Sequence, residues 1–325
     1  MTSTTVGVPG SPRLPWAQLP PGVREAVEAF LGSPVVEAVS QHGGFSPGVA
    51  ARLRCADGGT AFVKAVSTQQ NVHTPQLHRA EAVVAAALPP EAPAPRFRYC
   101  YDDGDWVALV FDVAPGQLPA LPWSADDAGR VTRAVAQLSA SLTPCPLPGA
   151  KPIADFLRVD LTSWQRLATE PPADLDPWEH RNLDRLVAAG DRLLRPGGAL
   201  DGDTLLHLDL RADNILLEPA ERVVFVDWPW AAQGPEWVDV ALFVLDPLVS
   251  GGHDPQLLLQ TADEATGAIG RADPAAITDL VLALAGMWAE SSRQPVPAAM
   301  PTIRAHQRRF HDAALAWGRS RAGWE

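Results

Sequence analysis

The run Leu205-Leu206-His207-Leu208-Asp209-Leu210-Arg211-Ala212-Asp213-Asn214-Ile215-Leu216-Leu217, followed by Val223-Val224-Phe225-Val226-Asp227, constrains this chain more than any other. It reads as a polar H-x-D-x-x-x-x-N loop set between apolar runs, then an apolar strand that ends in an aspartate. Ile215–Leu217 and Val223–Val226 can pair as a hairpin through Pro219, which brings Asn214 and Asp227 to one end. A lone His-x-Asp would be an ordinary loop. The full spacing, with a hydrophobic run on each side and a second aspartate ending the next strand, is not. Phosphoryl transfer needs a carboxylate to orient the attacking hydroxyl and oxygen ligands for a metal that bridges the phosphates. Asp209 fits the first role, and Asn214 and Asp227 supply the hard oxygens that Mg2+ prefers.

The rest of the chain has the means to fold around such a loop. Its 325 residues are 46% hydrophobic and 20% charged, enough for two domains or one two-lobed unit. The 32 prolines gather in connectors such as Pro89-Pro90, Pro93 and Pro95, or Pro144, Pro146 and Pro148, where they punctuate the fold. A formal net charge of −12 argues against nucleic acid as a partner, because phosphate backbones need a basic face. The same acidity keeps a protein dispersed, and it permits a cationic substrate. Cys55, Cys100 and Cys145 are odd in number and form no CxxC pair or Cys/His cluster, so neither a disulfide framework nor a zinc site is expected. The first residues lack a basic start followed by an apolar run, and no stretch nears the roughly 18 apolar residues of a membrane span. A cytoplasmic protein without a membrane partner is the expectation.

Residues 1–20, rich in Pro and Gly, read as a loose lead-in, followed by a short helix over Arg24–Leu31. The pattern from Val35 to Val66 is that of strands. Val49–Cys55 and Ala61–Val66 are joined by the hairpin signal Asp57-Gly58-Gly59. His78–Leu88 is alanine-rich without a breaker and reads as a helix. Phe97–Tyr101 and Val107–Val113 read as strands around Asp102-Asp103-Gly104. After Pro115-Gly116 helical spacing dominates, over Asp126–Leu142, Ile153–Ala168, Trp178–Leu194, Val238–Leu248, Pro255–Ile269, Pro274–Glu290 and Thr302–Arg319. The expected fold class is α+β, with a small antiparallel β-rich N-lobe over 21–115 and a larger, mainly helical C-lobe over 116–325.

On the loop residues quoted above, the chain resembles the aminoglycoside phosphotransferase and choline kinase-like family, small-molecule relatives of the protein kinases. The resemblance runs from about Val35 to Trp317. It implies a two-lobed protein-kinase-like fold and transfer of the γ-phosphate of ATP or GTP, with Mg2+, to a hydroxyl of a small molecule. An aminoglycoside, another hydroxylated antibiotic or a metabolite would fit that description. The family's catalytic aspartate falls on Asp209 and its two magnesium ligands fall on Asn214 and Asp227. Two departures lie beside the substrate: Leu208, where many relatives have glycine, and Trp228-Pro229-Trp230 after the metal aspartate.

Phosphate handling also predicts a glycine-rich turn, a lysine on the next-but-one strand and a glutamate on the following helix. Gly43-Gly44-Phe45-Ser46-Pro47-Gly48 is such a turn, with Gly44, Ser46 and Gly48 as candidate nucleotide contacts. Lys64 sits inside the apolar strand Ala61–Val66, a costly place for an unpaired ammonium. Glu81 is its available partner, with Glu91 and His78 nearby. By resemblance Lys64 holds the α- and β-phosphates and Glu81 orients it. Leu109–Gly116 reads as the hinge between lobes, where backbone groups bind the nucleobase in the family; Asp112 and Val113 are the candidates. Arg211 either stabilises charge on the transferring phosphate or decorates the surface. His207 braces the loop by a hydrogen bond more readily than it does acid-base chemistry. Asp239 is expected to begin a helix, cap it and hold the catalytic loop. Trp164, Trp178, Trp288 and Trp317 sit on apolar helical faces and read as core, whereas Trp228 and Trp230 are the candidates for substrate contact.

Gly44-Phe45-Ser46-Pro47-Gly48 also matches the G-x-S-x-G elbow of hydrolases. That site draws on the backbone N–H after the serine, and Pro47 has none. There is no GxxxxGK[ST] and so no P-loop. A kinase acting on a protein is disfavoured by the lack of an Ala-Pro-Glu segment after Asp227. A non-catalytic kinase-like nucleotide-binding module would be expected to have lost one of Lys64, Asp209, Asn214 or Asp227, and all are present. The expected partner is a small hydroxylated acceptor in the helical lobe. Asp155, Asp160, Glu179, Asp184, Asp246 and Asp263 would favour one carrying positive charge, with Trp228 or Trp230 adding a cation–π contact.

Overall fold

Five antiparallel strands in the order β1-β2-β3-β5-β4 make the sheet of the first of two units. They are β1 (Val35–Ser40), β2 (Val49–Cys55), β3 (Thr60–Ser67), β4 (Phe97–Asp102) and β5 (Trp106–Phe111). In this computed structural model the described residues are 13–41, 48–219, 222–297 and 301–325. The first unit comprises the residues up to Pro119 together with Arg211–Trp230; the second comprises Ala120–Leu210 with Ala231–Glu325.

Turn chemistry closes the hairpins. Between β2 and β3, Gly58 adopts φ 89° and the Asp57 carboxylate accepts the Gly59 N–H at 2.9 Å. Between β4 and β5, Gly104 adopts φ 95° and Asp102 accepts its N–H at 2.9 Å. Period-two alternation then sorts the strands into two faces. Val49, Ala51 and Leu53, with Ala61, Val63, Ala65, Ala108 and Val110, bury against Val23 and Val27 of α1 (Pro21–Leu31). The opposite face carries Val107, Leu109 and Phe111, packed with Ala82 and Ala85 of α2 (Thr74–Ala87).

Residues 13–20 are not the loose lead-in that their composition suggests. Trp16 and Leu19 are buried at 7% and 2% exposure in the cluster that holds α1 against the sheet, so apolar burial overrides the surrounding prolines. The second part of this unit is the expected hairpin: Ile215–Leu217 pairs with Val223–Phe225 in the register Ile215 to Phe225. Gln117 and Leu217 exchange backbone hydrogen bonds of 3.0 and 2.8 Å, stitching the segment after Pro115 to that hairpin. Gly116, at φ 96°, is required there, because a Cβ would stand 2.8 Å from the Leu217 carbonyl oxygen.

The second unit is mainly helical. Ser124 caps α3 (Ala125–Ser141) by accepting the Asp127 N–H. The helices Pro177–Leu193, Pro255–Thr266 and Pro274–Ser292 each start with an Asp N-cap followed by Pro at the first helical position. Three expected helices are interrupted. The 153–168 segment becomes Ile153–Phe156, Arg158–Leu161 and Ser163–Thr169, and the Thr162 hydroxyl at one break donates back to the Arg158 and Val159 carbonyls. The 238–248 segment divides at Val244, where Pro247 has no N–H to continue the ladder. Past Thr266, Gly267 adopts φ 70° and ends the turn. A short pair, Thr204–Leu206 with Ala232–Gly234, flanks the His-Leu-Asp loop and was not legible in the sequence pattern.

Candidate active site

Alternation along β3 puts Lys64 on the α2 face, between Val63 and Ala65 of the other face. There its Nζ donates to Glu81 Oε1 and Oε2 at 2.8 and 3.0 Å and to Asp227 Oδ1 at 2.8 Å. Burial works against the ammonium, but the Asp227 and Glu81 carboxylates outweigh it and hold its pKa above the ordinary value. Burial pushes the Glu81 carboxyl upward, and Lys64 opposes that shift. The Trp228 backbone also hydrogen-bonds Glu81. Of the other nearby groups, Glu91 is exposed. Burial, with Lys64 adding to it, depresses His78 to about 3, so the imidazole stays neutral. Glu81 is the partner because it shares the buried face of α2 with His78, one turn away.

The hairpin delivers the oxygen ligands. Val226 N–H donates to the Asn214 carbonyl at 3.0 Å, which brings Asn214 and the residue after Val226 to the same end. Asp227 itself takes φ 69°, a left-handed conformation uncommon outside glycine and a form of backbone strain that collects at functional sites. Lys64, Glu81, Asp213, Asn214, Asp227 and Trp228 line one cavity of the first unit. Among the described residues no group of three or more His, Cys, Asp or Glu could hold a metal. One carboxylate and one amide oxygen fit Mg2+ nonetheless, which commonly takes one or two protein ligands and completes its shell with phosphate oxygens and water. Arg211 is bound to Asp213 at 2.9 and 3.1 Å, a bidentate pair that fixes its guanidinium beside the loop.

The same cavity extends along the sheet past Ala50, Phe62 and Phe111 to Asp112 and Ala114. Val113 does not line it, and the Asp112 N–H is engaged by the Arg96 carbonyl at 2.9 Å. Gly44 and Ser46 of the glycine-rich turn lie outside the described residues. Gly48 is described and is held at φ 102°, with the Ala65 carbonyl oxygen 2.3 Å from where a Cβ would stand. Arg13, which nothing in the motif spacing singles out, also lines this cavity. The signal for it was the pair of apolar residues Trp16 and Leu19 just downstream, which tie down the segment.

Asp209 belongs to the second unit, on the loop that follows Thr204–Leu206. The loop hangs on Asp239, whose carboxylate accepts the His207 and Leu208 N–H groups at 2.7 and 2.9 Å. Asp239 therefore holds the loop as expected, but it does not cap its helix: it lies inside Val238–Phe243, whose N-cap is Trp237. Burial pushes its carboxyl up to about 6, against the pull of those two N–H groups. Leu208 takes φ 64°. His207 is fully buried, and its Nδ1 accepts the Asp209 N–H at 3.3 Å, the bracing role expected of it.

The tryptophans divide. Trp164, Trp178 and Trp317 are buried and Trp288 is half-buried. Trp228 is 2% exposed and its indole N–H donates to the Phe225 carbonyl, so it forms cavity wall, whereas Trp230 is 39% exposed. Four of the six acids behind the expected cationic acceptor have local partners. Asp155 pairs with Arg158, Glu179 completes the capping box of its helix, Asp246 accepts the Trp123 indole N–H, and Asp263 accepts the Gly270 N–H. Among the described residues no helix is long and apolar enough to cross a membrane.

The sequence profile of the phosphotransferase enzyme family matches residues 43–280. No curated protein sequence matches the chain at a significant level. Among solved structures, the chain is similar to a thermostable mutant of aminoglycoside phosphotransferase APH(4)-Ia in complex with ADP and hygromycin B. The identity is 13% and the TM-score 0.62, over 92% of this chain and 98% of that one. It is similar also to spectinomycin phosphotransferase APH(9)-Ia in complex with ADP and spectinomycin, at 13% identity and TM-score 0.61, over 93% and 98%. An aminoglycoside phosphotransferase from Alicyclobacillus acidocaldarius matches at 15% identity and TM-score 0.58, over 90% and 95%. These likenesses show the fold, a kinase-like pairing of an antiparallel sheet lobe with a helical lobe. With its profile matched over most of its length, the chain belongs to the phosphotransferase enzyme family.

Proposed function

We propose that the protein transfers the γ-phosphate of ATP or GTP to a hydroxyl group of a small molecule, with Mg2+ held by Asp227 and Asn214. The observation that carries this reading is the single ammonium of Lys64, hydrogen-bonded to both Glu81 and Asp227 in a cavity that Asn214 also lines. In this reading Lys64 binds the α- and β-phosphates and Glu81 keeps it aimed. The nucleobase lies along Phe62 and Phe111, toward Asp112 and Ala114. Asp227 and Asn214 would hold Mg2+, whose charge would offset that of the phosphate oxygens. Asp209 accepts a hydrogen bond from the acceptor hydroxyl, whose oxygen attacks the γ-phosphorus. The bond from that phosphorus to the bridging oxygen breaks, the nucleoside diphosphate leaves, and the hydroxyl proton passes to Asp209.

The acceptor class rests on the relatives, whose solved complexes carry hygromycin B and spectinomycin. A hydroxylated antibiotic or a metabolite of similar size is the corresponding acceptor here. The test is nucleotide consumption across a panel of such compounds with ATP and with GTP, the product being identified by a mass gain of one phosphate group. Phosphorylation of a small compound, lost in Asp227→Ala, is the expected result. Turnover with protein acceptors alone, or none with any compound in a folded protein, would overturn the reading.

A further inference from the structure

We propose that Arg13, from the segment ahead of α1, is a further phosphate-binding residue that shares the nucleotide's polyphosphate with Lys64. The inference deepens the kinase reading above and rests on it.

Three features of the structure converge on Arg13. The first is position: it lines the cavity that holds Lys64, Asn214 and Asp227. The second is fixation. Arg13 forms a parallel β-bridge with Gly48, and the Leu14 N–H donates to the Gly48 carbonyl at 3.0 Å. Gly48 is the last residue of the glycine-rich run and the one that is described, so Arg13 is tied to the end of that run. Trp16 and Leu19, buried in the sheet cluster, hold the segment in place from the other side. A backbone fixed this way keeps Arg13 at the cavity wall, so an anion bound there would cost little chain entropy.

The third feature is charge. The Lys64 ammonium is already divided between two carboxylates, Glu81 and Asp227. It therefore presents less net positive charge to an incoming polyphosphate than an isolated lysine would. Arg13 is a second cation at the same place, partly desolvated, with burial lowering its pKa and Asp227 opposing that. A guanidinium remains charged under those conditions and offers a planar fork that matches phosphate oxygens.

The experiment is calorimetric titration of the full chain and of Arg13→Gln and Arg13→Lys, in Mg2+, with ATP, GTP, the matching diphosphates and the bare nucleosides. Arg13→Gln should weaken the preferred triphosphate and its diphosphate by about 10- to 100-fold, as expected for a charge-assisted contact. Nucleoside affinity and the thermal midpoint should stay as in wild type, and Arg13→Lys should recover part of the loss. Wild-type triphosphate affinity in Arg13→Gln would overturn the proposal. So would tighter triphosphate binding, which would make Arg13 an occupant that the nucleotide displaces. An equal loss for the nucleoside, or a lowered thermal midpoint in both variants, would assign Arg13 a structural role instead. A wild-type chain that binds neither ATP nor GTP would sink the kinase reading itself, a result distinct from all of these.

Discussion

Lys64 Nζ stands 2.8 Å from Asp227 Oδ1 although the two residues are 163 positions apart in the chain. The same nitrogen binds Glu81, which is only 3% exposed. Lys64→Met therefore leaves a carboxylate buried without its cation, a change that costs about 3–5 kcal/mol. The double variant Lys64→Met/Glu81→Gln should regain most of that stability in chemical denaturation while turnover stays lost in both. A double variant no more stable than the single one would contradict the ion-pair account.

Asp209→Asn should bind nucleotide as wild type does and lose on the order of 10²–10⁴ in turnover, the range for removal of a general base. Paired titration and rate measurements separate the two effects. Lost nucleotide binding in a folded variant would give Asp209 a different role.

Gly48→Ala forces a Cβ to within 2.3 Å of the Ala65 carbonyl oxygen, on a backbone at φ 102°. Left-handed strain and overpacking together should destabilise the protein by about 2–4 kcal/mol. Gly58→Ala is the control for the conformational part. Gly58 is also at positive φ, 89°, but nothing lies within 4 Å of its Cβ position. An equal loss at both positions would show that the close approach to β3 carries no weight.

The Asp239 carboxyl, raised to about 6 by burial, gives a pH signature. The folded protein binds that proton more tightly than the unfolded chain does. Its stabilising contribution is therefore complete below about pH 4 and is lost as pH rises through 6. The stability margin of wild type over Asp239→Asn should shrink by up to about 3 kcal/mol between pH 4 and 7. A margin that does not change with pH would refute the shift.

Much of this was legible in the sequence because local rules governed it. Alternation and two Gly-containing turns define β2 to β5, and an unpaired ammonium in an apolar strand demands a partner such as Glu81. The ends of the hairpin are likewise marked by Asn214 and Asp227. Three-dimensional placement was not legible in the same way. No spacing reveals that Lys64 also reaches Asp227, or that the Asp112 N–H is taken by Arg96. Composition hid the packed segment around Arg13, since a few buried apolar side chains outweigh many prolines. At Leu208 the sequence displays a departure from glycine, and the structure adds that the position keeps the left-handed backbone glycine favours, with its N–H bound to Asp239.

The return of Arg211–Trp230 to the first unit carries a consequence for synthesis on the ribosome. When Pro119 has emerged, Gln117 still lacks Leu217, and the Pro93 carbonyl still lacks the Phe225 N–H that it accepts at 2.8 Å. Lys64 can meet Glu81 at that stage, but not Asp227. The five-stranded sheet can close on its own, but the Pro93 and Gln117 segments beside it must wait, their backbone groups unpaired, until all of Ala120–Leu210 has been made. The first unit of this protein is thus completed by a late segment, and any nascent-chain assistance it requires falls within that interval.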